Sequence, residues 1–231
     1  MIYISKLFSP ISTGTSAGDI DVGATVKINE NGQAVEHIVV HQGLPSDIYD
    51  SSCEGTWCLR KDIAENRQWH SSNVNDYANS TINAYLNGDW LNRYDPEVAE
   101  AIKQVKLPYR KGAGYGKTVT SGASGLSAKI FLLSSTEVSF NHNFMPTNEG
   151  AELSYFAGCA DNGSDNKRIA YLNSSAAYWW LRSPVCNSSG GSASASRVGY
   201  GGDWGGNKCT DSYGIRPCII LPYSFKFQEV S

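Results

Sequence analysis

The chain reads as an α+β protein built from many short strands, two helices and long loops. Three observations predict this. Apolar residues make up 41% and aromatic residues 11% of 231 positions, enough to bury a good core as one domain. Charged residues are sparse at 18%, while 23 Gly with many Ser and Asn mark a loop-rich architecture. The periodic segments are mostly strand-like, with only two helical stretches among them.

Residues 1 to about 20 are polar and Ser/Thr/Gly-rich after a short apolar start, and read as an N-terminal extension or attachment arm. Residues 21–231 then form the domain. Val22–Ile28 and Val35–His41 alternate around Asn29-Glu30-Asn31-Gly32, a strong hairpin signal. Thr56–Ile63 reads as a further strand. Asn79-Ser80 offers a cap to a first helix running to Arg93, with Ile82, Tyr85, Leu86 and Leu91 near helical spacing. Asp95-Pro96 opens a second helix as N-cap and first-turn proline, with Val98, Ile102 and Val105 on one stripe. Lys111–Ser127 is a Gly-rich loop, Lys129–Leu133 a buried-type strand, and Glu149–Phe156 a short helical turn. A polar loop follows at 158–168. Strands near 169–172, 178–182, 194–200 and 214–221 complete the chain. No internal repeat is evident.

The most informative stretch joins a stiff segment to a soft one. Tyr178-Trp179-Trp180-Leu181-Arg182-Ser183-Pro184 runs into a segment rich in Gly and Ser, and order returns at Tyr213-Gly214-Ile215-Arg216-Pro217-Cys218-Ile219-Ile220-Leu221. Two apolar pieces thus bracket a surface-type segment, 185–213, which is how a scaffold presents a binding surface. In strand alternation Trp179 and Leu181 share one face, Trp180 and Arg182 the other. The aromatic pair reads as scaffold. Arg182 and Arg216 read as ties to loop carbonyls or to a carboxylate such as Asp62, Glu65 or Asp95.

These end motifs, with Ser80-Thr81-Ile82-Asn83-Ala84-Tyr85-Leu86-Asn87 and Ile130-Phe131-Leu132-Leu133-Ser134 between them, resemble a family of bacterial and phage proteins with a C-type-lectin-like fold. The resemblance spans roughly residues 20 to 223. The family includes the variable proteins of diversity-generating retroelements, often carried by phages and prophages of gut bacteria. In those proteins adenine-directed mutagenesis rewrites codons near the C-terminus, and the scaffold displays the changes as a ligand-binding face. Residues 185–213 lie where such a region would lie. The resemblance implies a protein or glycan receptor on a target cell surface as partner, and a place on a virion, such as a phage tail, or on a bacterial surface. Relatives often assemble into oligomers; a homo-oligomer stays open, since no heptad or exposed apolar stripe argues for one here.

The residues assigned to ligand binding are Asn187, Ser188, Ser192, Ser194, Ser196, Tyr200, Asp203, Trp204, Asn207, Lys208, Thr210, Asp211 and Tyr213. Tyr and Trp supply rigid contact area at low entropic cost, while Ser, Asn and Gly supply adaptable hydrogen bonds. For Trp204, the glycines on both sides allow an exposed ring or one tucked into the core.

Other chemistries find little footing. The net charge of −3 and pI near 5.8 offer no basic face for nucleic acid. No run of 18 apolar residues exists to span a bilayer, and Met1–Phe8 lacks the form of a secretory signal. The six cysteines form no CxxC pair and no zinc-spaced cluster, leaving buried thiols or a Cys186–Cys209 bridge as the readings. The Glu-Pro-Asn, Gln-Pro-Asp and Trp-Asn-Asp triplets of calcium-dependent lectins are absent, and Asp161-Asn162-Gly163-Ser164-Asp165-Asn166 reads as a polar turn rather than a calcium loop. No metal or cofactor is therefore expected. His37, His41, His70 and His142 flank no nucleophile motif, and in a strand His37 and His41 merely share a face. The enzymatic relatives of the fold bind copper through a closely placed cysteine pair. Cys209 and Cys218 sit in the right region with the wrong separation, so catalysis is not expected. Gly112-Ala113-Gly114-Tyr115-Gly116-Lys117 precedes no helix and is a weak phosphate-loop match.

Overall fold

The computed structural model describes residues 14–112, 118–141, 149–185 and 193–227. The Asn31-Gly32 turn has positive φ at both residues, 51° and 71°, the geometry that suits the twist of a two-residue hairpin. It joins Thr25–Glu30 to Gln33–Gln42 as the hairpin the sequence predicts, but the ladder runs on to Glu30 opposite Gln33, closer to the turn than the expected strand ends. The sheet continues antiparallel through Thr56–Arg60, Cys218–Leu221 and Ile130–Phe131. The run Cys218-Ile219-Ile220-Leu221 shows no polar alternation because both of its faces are covered. Ile219 and Leu221 pack with Val39, Trp69, Leu86 and Trp90, whereas Cys218 and Ile220 pack with Val40, Trp57, Phe131 and Leu181. A bulge between Val39 and His41 breaks the alternation expected there. His37 therefore lies beside Glu30, and His41 meets Trp57 edge-on, on the side of the other apolar cluster.

A second five-stranded sheet follows the spatial order Trp204–Lys208, Ser194–Val198, Trp179–Pro184, Ser212–Gly214, Asn66–Gln68. Only the Trp179–Pro184 and Ser212–Gly214 pairing is parallel. The sequence leaves 201–213 as loop; the structure makes two strands of it. Five consecutive residues pair Ser194–Val198 with Trp204–Lys208, and glycines at 205 and 206 do not prevent this because the ladder is held by backbone groups.

Helix α1 spans Thr81–Tyr85, capped by the Ser80 hydroxyl, which accepts from the Asn83 amide at 3.2 Å. It passes into a wider turn at Leu86–Trp90 and a tight one at Leu91–Arg93, shorter as an α-helix than its pattern suggests. Helix α2 spans Pro96–Ala101 and ends before Val105, which instead starts a strand, Val105–Leu107, paired with Leu126–Ala128. Asp95 does not cap it; its carboxylate accepts from the Asn29 amide at 3.0 Å. The helical turn expected over Glu149–Phe156 is confined to Ser154–Phe156. Thr15–Ser16 pairs with Lys226–Phe227, and Ala17 is fully buried, so the described part of the N-terminal segment is built into the domain.

Trp179 and Trp180 are both fully buried, in different apolar clusters, and their indoles donate to the carbonyls of Arg168 and Arg67, each at 2.9 Å. The scaffold role expected of them holds. Both motif arginines donate to backbone carbonyls as expected, but neither takes one of the carboxylates named for it. Arg182 is gripped by Glu137 through two 2.6 Å bonds, and Glu137 also accepts from Tyr49 and Ser134. Arg216 donates to the Arg60 carbonyl and lies over the Trp179 ring at 4.6 Å. Burial pushes its guanidinium down to about 10. Glu65 and Asp95 serve other partners because the tertiary fold, not sequence proximity, decides who meets whom.

Candidate functional site: the outer face of the C-terminal sheet

Pleating divides the second sheet into two sides. Arg197 lies opposite both Trp180 and Gly205, Ala195 opposite Asn207, and Tyr213 opposite Arg67. Tyr178, Arg197, Asn207, Tyr213 and Arg67 thereby share one side with Trp180 and Ala195, both of which are fully buried. The Tyr213 ring meets Tyr178 at 5.3 Å and Trp180 at 5.0 Å, both edge-on. Tyr178 stacks on Tyr200 at 4.9 Å with 20° between planes, and Tyr200 is 61% exposed, the most open large hydrophobic side chain among the described residues. The Arg197 guanidinium lies 3.9 Å from the Tyr178 ring centre. Its Nε donates to Asn207 Oδ1 at 2.8 Å, and Asn207 Nδ2 donates to Tyr213 Oη at 3.0 Å and Asp211 Oδ2 at 3.3 Å.

The face continues past Tyr213 onto the Asn66–Gln68 strand and helix α1. Arg67 lies 3.4 Å above the Tyr85 ring, and Arg93 lies 3.9 Å above Trp90. Glu65 binds both, at 3.1 and 2.7 Å, and accepts from Tyr85 Oη at 2.8 Å. Burial acts to raise the Glu65 carboxyl, but the hydrogen bonds and charges around it hold it below its usual range. Five strands set about 4.8 Å apart make the face roughly 19 Å wide. It joins aromatic rings, guanidinium groups and amides, the side chains that anchor protein interfaces.

The residues chosen from sequence scatter across this arrangement. Tyr200, Asn207, Asp211 and Tyr213 are brought together on the face. Trp204 falls on the opposite side of the strand, half-buried against the cluster that holds Trp179 and Leu181, which settles its two readings in favour of packing. Lys208 and Ser194 share that side, Lys208 exposed and Ser194 half-buried. Ser196 is fully buried and cannot touch a ligand: it sits on the second strand from the sheet's edge with its side chain turned inward. Asp203 lies in the 199–203 turn with its carboxylate against Gly199. Thr210 is tied to Asn73 at 3.0 Å, away from the aromatic stack. Asn187, Ser188 and Ser192 lie outside the described residues, as does Cys186. Cys209, the other half of the expected bridge, is a buried free thiol.

Sequence reasoning missed Tyr178, Arg197, Glu65, Arg67, Tyr85 and Arg93. Period-two alternation from Trp180 could have flagged Tyr178, and alternation from Asn207 across a hairpin could have flagged Arg197. Nothing local could have brought Glu65 to Arg93.

Elsewhere the described cysteines are buried. Burial pushes the thiols of Cys53 and Cys209 up to about 12 and that of Cys159 to about 11, and Cys58 and Cys218 are raised as well. None is a thiolate at neutral pH. Among the described residues no group of three or more His, Cys, Asp or Glu could hold a metal ion. The calcium-like run folds around a cation of the protein's own: Arg168 Nη2 donates to the carbonyls of Ala160 and Gly163. Strand pairs Tyr109–Arg110 and Val119–Thr120 flank the Gly-rich 113–117 segment, which lies outside the described residues. No described helix is long and apolar enough to cross a membrane.

Residues 54–223 match the family described as Domain of unknown function (DUF6273), and the chain belongs to that family. A search of the curated proteins and one of the solved structures found no match. The matched span contains both motif strands and every residue of the outer face.

Proposed function

We propose that this DUF6273 protein is a binding module of C-type-lectin-like architecture, and not a catalyst, whose outer sheet face recognises a protein partner on a cell or particle surface. One observation carries the reading. An aromatic pair with one exposed ring, Tyr200 on Tyr178, is joined to Arg197, Asn207 and Tyr213 on a sheet whose central strand, Trp179–Pro184, is buried throughout. Exposed side chains such as Tyr200 can change without unfolding the domain, because the ladder is held by backbone groups and Tyr200 lies outside the buried core, whereas Tyr213 also packs on Trp180. The face's breadth of five strands suits a protein surface better than a single sugar. In this reading the chain is a retroelement-diversified display protein of a phage or gut bacterium, and the face is where diversity is written.

Deep sequencing of the locus in its natural population tests this. Substitutions concentrated at adenine-containing codons of outward positions such as Tyr200, Asn207, Asp211 and Tyr213 are expected, with Ser196, Val198 and Cys209 unchanged. An invariant face, or changes spread equally over inward and outward positions, refutes the diversified reading and leaves a fixed assembly contact.

A further inference from the structure

Resting on that binding reading, we propose that the partner presents an acidic polypeptide segment whose carboxylate is held by Arg197. The three guanidinium groups of the face are not equivalent. Arg67 and Arg93 share the Glu65 carboxylate. Arg197 makes no ion pair among the described residues; its only hydrogen bond runs to the neutral amide of Asn207.

Arg197 is also pre-positioned. Tyr178 covers its guanidinium at 3.9 Å, and Gly205 lies directly against it: a Cβ at Gly205 would fall 2.5 Å from Arg197 Cζ. Nε is fixed by Asn207, which is itself fixed by Tyr213 and Asp211. Nη1 is shielded from water without an acceptor. A clamped, partly desolvated guanidinium loses little entropy on binding, and Nη2, which is neither bonded among the described residues nor one of the buried unpaired polar atoms, is left to donate to a carboxylate. Beside it, the open Tyr200 ring offers area to an aliphatic or aromatic neighbour of that carboxylate.

A displayed library of random peptides, panned on the full chain, tests the assignment. Enriched peptides should share Asp or Glu at a fixed position beside an apolar residue. Their Asn or Gln versions should bind at least about tenfold weaker in fluorescence-anisotropy titrations. Arg197→Gln should lose the same factor. Gly205→Ala should do likewise although it keeps the charge, because the added methyl displaces the guanidinium; circular dichroism checks that both variants fold. Acidic peptides that bind Gly205→Ala and Arg197→Gln as tightly as the parent overturn the proposal, as does enrichment of neutral or basic peptides. Binding of sialylated or uronate glycans in place of any peptide, lost in Arg197→Gln, overturns the polypeptide assignment while leaving the face intact. Peptides that bind Tyr200→Ser and Asn207→Ala undiminished place recognition elsewhere and refute the face itself.

Discussion

Glu137→Gln should be among the most damaging isosteric changes this fold can suffer. Arg182 is fully buried, and Glu137 supplies both of its 2.6 Å ion-pair bonds. The carbonyls of Leu132 at 2.9 Å and Pro108 at 3.3 Å also accept from the guanidinium, but dipoles do not neutralise a cation. Removing one member of a buried pair costs about 3–5 kcal/mol because the other charge is left uncompensated. At about 2–4 °C per kcal/mol for a chain of this size, the melting temperature should fall by roughly 6–20 °C. Glu149 lies close enough to act on Arg182, and this sets the lower end. Urea unfolding followed by tryptophan fluorescence reads the change as a shift in midpoint at constant slope. The double variant Glu137→Leu/Arg182→Met should be less destabilised than either single change, since an apolar pair leaves no stranded charge. A loss below about 1 kcal/mol for Glu137→Gln, the worth of an exposed pair, would refute the account.

Two further predictions concern the face and the buried carboxylates. Tyr200→Ala should shift stability by less than about 0.5 kcal/mol while weakening binding. Trp204→Ala should cost about 1.5–2.5 kcal/mol, half of what a fully buried aromatic loses, with recognition by the outer face retained; thermal melts and the peptide titration separate the two. Glu30 and Glu149 should have opposite pH signatures. Burial works to raise Glu30, but hydrogen bonding and charge from His37 and Arg60 hold it below its usual value of 4.5. Its contribution is thus present above that value and lost as pH falls through the lower folded one. Burial dominates at Glu149 and raises it. Its contribution is full below the unfolded value and lost as pH rises through the folded one. Denaturant titrations from acid to neutral pH should show Glu30→Gln flattening the acid limb and Glu149→Gln gaining stability toward neutrality. The same slope in both variants as in the parent would contradict these assignments.

The sequence by itself determined the elements whose signals are local. Asn31-Gly32 admits positive φ and so dictated its hairpin, Ser80 supplied a cap, and Trp179 to Pro184 and Cys218 to Leu221 announced buried strands by apolarity. It also located the surface segment that carries Tyr200, Asn207, Asp211 and Tyr213. What it could not decide were matters of pairing and pleat. Glycines at 205 and 206 suggest a loop until a neighbouring strand supplies the ladder, and only the register then puts Asn207 on one side of the sheet and Trp204 and Ser196 on the other. Val105 fits a helical stripe until Leu126–Ala128 pairs with its segment. Glu137 for Arg182, and Glu65 for Arg93, are choices made between residues 45 and 28 positions apart. Burial makes each buried charge find the nearest compensating group, and tertiary structure alone brings that group within reach.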